Sequence, residues 1–163
     1  MIYQKSIKNE VSAVGVGLHT GQKVRVVLKP AKENTGIIFK RTDIKVPIEI
    51  KINPQAVKET RLSSTIGKDE YKISTVEHLM SALSALGVDN ILIDVGGSEI
   101  PIMDGSSIPF VYLINSAVLF HQSALKKFAV IKDVIEVKDG EKFAKFEPYS
   151  GFLVDFTINF PHP

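Results

Sequence analysis

The sequence predicts an α+β fold: a two-layer sandwich of a mostly antiparallel sheet and two helices, the first of two similar domains, with the second domain incomplete. Three observations predict it. Short β-branched and aromatic runs, punctuated by Gly, Pro, Asn and Asp, recur along the 163 residues. Only two segments carry an extended apolar stripe of helical spacing. A strand, strand, proline, glycine, strand order from the start of the chain returns near its end. At 44% apolar content the chain is long enough for one domain with a packed core, or for one domain plus part of another.

Taken in order, the strands are expected near residues 3–7, 11–16, 24–28, 36–41, 48–50, 62–66, 71–73 and 91–95, with more after Phe128. The first helix is expected over about 75–86, because Val76, Leu79, Met80, Leu83 and Leu86 share one stripe and Gly87 is placed to end it. Glu77, His78, Ser81, Ala82, Ser84 and Ala85 lie away from that stripe, and none is Lys or Arg, which an ordinary solvent face would carry. The second helix is expected over about 109–120, with proline in its first turn and Ser106 or Ser107 as cap. No charge occurs from Phe110 to Phe120, where the polar members are Tyr112, Asn115 and Ser116. Both helices are therefore expected to pack on two sides.

The recurring order runs through Lys5-Ser6-Ile7-Lys8, Lys23-Val24-Arg25-Val26 and the segment from Pro30 to Phe39, then through Phe128-Ala129-Val130-Ile131-Lys132, Lys142-Phe143-Ala144-Lys145-Phe146 and the segment from Pro148 to Val154. Identity between the copies is low, so the same order also fits two unrelated β-meanders. As a repeat, it divides the chain into a first domain at 1–125, with a small β insert near 42–70, and the opening strands of a second, truncated domain at 126–163.

Composition narrows the chemistry. No run reaches the roughly 20 apolar residues of a membrane span, and the Met1-Ile2-Tyr3-Gln4-Lys5 start lacks the apolar region of a secretory signal, so a cytoplasmic location with no integral membrane segment is expected. A net charge of +2, with both signs interspersed, offers no basic stripe for nucleic acid. With no cysteine, a bound metal would rely on His19, His78, His121 and His162 together with Asp and Glu.

The sharpest local feature is Ser74-Thr75-Val76-Glu77-His78-Leu79. Ser74 and Glu77 have capping-box spacing, and His78 could be a solvated helix residue. Alternatively, an imidazole to hold zinc beside a carboxylate within reach of its water is the pair that metal-assisted hydrolysis uses. Asp104-Gly105-Ser106 is explained in itself as a turn followed by a helix cap.

Gly17-Leu18-His19-Thr20-Gly21, Ser74-Thr75-Val76-Glu77-His78-Leu79, Gly87-Val88-Asp89-Asn90 and Glu99-Ile100-Pro101-Ile102-Met103-Asp104-Gly105-Ser106, followed by Pro109-Phe110-Val111, resemble successive signatures of the LpxC family of zinc-dependent sugar-nucleotide deacetylases. The resemblance continues through Lys126-Lys127-Phe128 and Pro148-Tyr149-Ser150-Gly151-Phe152 to Phe160-Pro161-His162-Pro163. It implies hydrolysis of the N-acetyl group of UDP-3-O-acyl-N-acetylglucosamine in lipid A biosynthesis, with a zinc ion (Zn2+) as cofactor. On this likeness His78 is a metal ligand and Glu77 the catalytic general base. His19 lies in a loop toward the nucleotide diphosphate of the UDP-linked acylated glucosamine substrate, Leu62 and Ser63 lie near substrate, and Asp104 is an orienting carboxylate beside the site. Read locally, His19 fits a turn equally well, and Leu62 fits a core position. His121 and His162 match no catalytic motif and are expected to be structural or exposed. The family completes its zinc site with a later His-x-x-x-Asp segment and uses a later histidine as acid, but no histidine here has an aspartate four positions on. The implied partner is therefore a missing C-terminal half, without which the chain is expected to be inactive. The competing readings are a non-catalytic nucleotide- or nucleic-acid-binding α+β module, and an inactive half that keeps only the architecture.

Overall fold

The structure, a computed structural model, describes residues 1–159. Alternation builds its sheets. Strands β1 (Tyr3–Ile7), β2 (Val11–Val16), β3 (Lys23–Pro30), β4 (Ile37–Arg41) and β5 (Ile48–Lys51) precede a 3-10 turn at Pro54–Ala56. After β6 (Val57–Glu59), β7 (Thr65–Lys68) and β8 (Tyr71–Ile73) come α1 (Glu77–Leu86), β9 (Ile91–Val95), α2 (Ile108–Ser116) and β10 (Leu119–Leu125). All of these belong to one compact unit, Met1–Lys126.

The fold is α+β, as expected. Its main sheet has the order β2-β3-β9-β4-β5, antiparallel throughout except for the parallel pair β4–β9. In β3, Val24, Val26 and Leu28 are buried while Lys23 and Arg25 are exposed, the period-two pattern of a strand covered on one face. Phe39 of β4 and Ile91, Ile93 and Val95 of β9 join them in a core with Leu79, Ala82 and Leu83 of α1 and Phe110 and Ile114 of α2. Strands β6, β7 and β8 form a three-stranded sheet of their own, and β1 pairs with β10.

Two helix details depart from expectation. Ala82, read as facing away from the core, is fully buried, so the covered stripe of α1 is wider than its large apolar residues indicate. Helix α2 stops at Ser116 rather than near Phe120, because the N–H groups of Lys8 (3.2 Å) and Asn9 (2.9 Å) donate to the carbonyl of Ala117, and Val118 turns the chain at a φ of 62° into β10. A buried amide network ties this edge down. Asn90 Nδ2 donates to Gln4 Oε1 and Gln122 Oε1, both at 2.7 Å, and Asn90 Oδ1 accepts from the Gly36 N–H at 2.8 Å.

The second unit begins at Lys127 and contains the antiparallel hairpin of β11 (Ile135–Asp139) and β12 (Lys142–Phe146). Every residue of both strands is exposed. Residues 128–132 and 151–154, expected as strands, are not in strand conformation. Among the described residues no helix is long and apolar enough to cross a membrane.

Candidate functional site

The approach to α1 sets the geometry. Ser74 pairs with Glu99 in an isolated parallel bridge, its N–H donating to the Ser98 carbonyl at 2.9 Å and its carbonyl accepting from the Ile100 N–H at 3.0 Å. Thr75 then takes a φ of 56°. That left-handed conformation costs a β-branched residue about 1–2 kcal/mol, and such outliers concentrate where a fold holds functional groups. Leu62 (φ 63°), itself a predicted site residue, and Met103 (φ 56°), next to Asp104, are similar outliers.

The capping box does not form. The bridge to Glu99 carries Ser74 away from the helix end, and its hydroxyl donates to the Ser98 carbonyl instead. Val76 is the N-cap without a side-chain bond. The Glu77 carboxylate accepts from the Ser64 N–H at 3.1 and 3.2 Å, which brings the segment from Leu62 to Ser64 against the first turn of α1. Leu62 itself is 85% exposed, which excludes a core role, while Ser63, Glu77 and His78 are half-buried.

Asp104 forms the expected turn. Its Oδ1 accepts from the Ser106 N–H at 2.9 Å and from the Ser106 hydroxyl at 2.8 Å, and Ser106 Oγ in turn accepts from the Ile108 N–H at the start of α2. These bonds to Ser106 lower the Asp104 pKa from its ordinary value. The structure thus brings Leu62–Ser64 against Glu77.

His19 is exposed in the loop between β2 and β3. What fixes that loop is a residue to which the sequence reading gave no role. Glu99 is fully buried, its Oε1 accepting from the His19 N–H at 3.0 Å and the Thr75 hydroxyl at 2.9 Å, and its Oε2 from the Thr20 N–H at 2.9 Å. Burial pushes its pKa up, but the N–H groups of His19 and Thr20 and the hydroxyls of Thr20 and Thr75 outweigh it, and the net shift is downward. A Cβ on Gly17 would collide with this carboxylate, so glycine is required there for the close approach. The available signal was a lone carboxylate in the otherwise apolar run around Ile100-Pro101-Ile102.

Of the remaining histidines, His121 is exposed on β10 opposite Lys5, and His162 lies outside the described residues. Among the described residues no group of three or more His, Cys, Asp or Glu side chains could hold a metal. The donor chemistry present is one imidazole with the carboxylate of the preceding residue, which suits a single ligand of a zinc site and does not close one.

Comparison with known proteins agrees in kind. Residues 4–163 match the family described as LpxC, UDP-3-O-acyl N-acetylglycosamine deacetylase. The chain is 52% identical to the UDP-3-O-acyl-N-acetylglucosamine deacetylases of Thioalkalivibrio sulfidiphilus and Methylococcus capsulatus over 163 residues, and to that of Colwellia psychrerythraea over 164. Each alignment takes in 100% of this chain and 54% of the relative, so the chain spans about half the length of the curated relatives it matches.

Proposed function

The chain belongs to the LpxC family, and from that premise we propose that the whole protein hydrolyses the N-acetyl group of UDP-3-O-acyl-N-acetylglucosamine, in the cytoplasm, on the route to lipid A. The observation that carries this reading is the adjacent Glu77–His78 pair at the start of α1, with the Glu77 carboxylate accepting from the N–H of Ser64, next to Leu62 and Ser63. His78 would hold zinc as one ligand, and the other ligands and the general acid come from residues outside those described. Zinc, when bound, supplies Lewis acidity toward a water molecule and the acetamide carbonyl.

The chain's own residues do the rest. Glu77 takes the proton from the attacking water as general base, held in place by the Ser64 N–H. Asp104 orients the His78 ring. His19 meets the nucleotide diphosphate, and Leu62 and Ser63 line the approach of the sugar. The family match does not favour a non-catalytic nucleotide- or nucleic-acid-binding module.

The partial coverage of the relatives supports reading residues 1–125 as a first α+β domain and 126–163 as the opening strands of a second. The partner that completes the site is then the remainder of the same protein, which also covers the uncharged faces of α1 and α2. The test is Glu77→Gln in the full-length protein. Turnover is expected to fall on the order of a hundredfold or more, by the usual size of general-base effects, while zinc measured by mass spectrometry stays bound. Near-normal turnover would remove Glu77 from the mechanism.

A further inference from the structure

We propose that Glu99 is a positioning residue that fastens the His19 loop to the start of α1, so that the substrate-facing loop and the Glu77–His78 pair keep one spacing. What the two segments do rests on the deacetylase reading; that they are fastened together rests on geometry alone.

Glu99 is anchored to the α1 side twice. Its backbone lies in the bridge with Ser74, flanked by the bonds from Ser74 N–H to Ser98 and from Ile100 N–H to Ser74, and its Oε1 accepts from the Thr75 hydroxyl at 2.9 Å. From there the same carboxylate crosses to the other segment, accepting from the His19 N–H at 3.0 Å and the Thr20 N–H at 2.9 Å. Thr75 is the pivot. It sits at a φ of 56° two residues before α1 begins, so the direction of the first helical turn depends on a conformation its side chain resists and Glu99 holds.

The residue type matters as much as the place. Only N–H and O–H donors converge on this one buried group, and an ionised carboxylate offers two acceptor oxygens and no donor. Glutamine would turn an N–H2 group toward N–H or O–H donors, and aspartate would fall one methylene short. A fully buried charge is costly unless every approach to it is hydrogen-bonded, so this carboxylate holds both segments or neither. The absent side chain at Gly17 leaves the room it needs.

The experiment uses the full-length protein with Glu99→Gln, and Asn90→Ala as a control that removes a buried polar group from the amide network at the other edge. Two readouts are taken: amide hydrogen exchange of segments 17–21 and 74–80, and kcat and KM on the UDP-sugar substrate. For Glu99→Gln, exchange is expected to accelerate about tenfold or more in both segments, with KM raised and kcat lowered by about tenfold each, the scale of losing a hydrogen bond to a charged group. Asn90→Ala should lower the melting temperature while leaving both segments, KM and kcat unchanged. Should Glu99→Gln fail to fold, Thr75→Val removes the hydroxyl bond from the α1 side and must shift the same readouts in the same direction. Loosening of 17–21 alone, or a less stable Glu99→Gln protein with normal KM and kcat, overturns the proposal. A wild-type protein without turnover would sink the deacetylase reading instead, and the exchange of the two segments would still decide whether Glu99 couples them.

Discussion

Backbone N–H groups and hydroxyls, none of them a cation, converge on the Glu99 carboxylate. The folded protein therefore prefers the ionised form, and the group's pKa lies below its ordinary value of 4.5. A depressed carboxylate stabilises the fold fully above its unfolded-state pKa, and that contribution disappears as pH falls through the lower folded value. The urea midpoint of the wild type is thus expected to drop as pH is lowered past 4.5, over the window down to the depressed folded value. Glu99→Gln should be less stable at neutral pH and show a flatter acid limb. An acid limb as steep as that of the wild type would mean that other carboxylates carry it, Asp43 foremost, whose pKa is lowered by its bond to the Arg41 guanidinium.

At the scale of elements, local signals were legible where neighbours in sequence decide the structure. Strands β1, β8 and β9 occupy the expected residues, and α1 ends at Gly87 as its placement predicts. Gly87 has a φ of 69°, and its N–H bonds the carbonyls of Leu83 and Ser84. The nearest atom to an added Cβ would be Lys126 Nζ at 3.6 Å, so Gly87→Ala meets no clash and carries only the left-handed penalty. Its expected cost is about 1–2 kcal/mol with turnover unchanged, read from denaturant unfolding; a variant as stable as wild type would contradict the cap. Legibility failed where distant residues decide. Strand β10 was missed because Leu-Phe-His-Gln-Ser-Ala-Leu has little β-branched character and is drawn into pairing by β1, over a hundred positions earlier. Ser74 and Glu77 carry capping-box spacing, but the bridge to Glu99 overrides it. The Glu77–His78 pair was visible as a contiguous motif, whereas Glu99 finds its loop partners 80 and 79 positions away, a separation no local pattern reports.

At the scale of the whole molecule, apolar surface is left open. On the helix layer Ser81, Ser84 and Ala85 are exposed without a charge among them, and Tyr112 is 72% exposed. The hairpin of β11 and β12 exposes Val137 at 68% and Phe143 at 67%, and an isolated two-stranded hairpin is marginally stable in water. The 163-residue chain by itself is therefore expected to self-associate, seen as concentration-dependent sedimentation, and the full-length protein to lose that behaviour. A cooperatively melting monomer of this length would argue against the covering role assigned to the remainder.

The strand order has one more consequence. Because β9 is seated between β3 and β4, and β1 is completed by β10, a ribosome has to release residue 95 before the main sheet can close and residue 125 before its flanking pair can form. Until then Val24, Leu28 and Phe39 have no finished interior to enter, and the growing polypeptide is a natural client for chaperones that shelter greasy segments during synthesis.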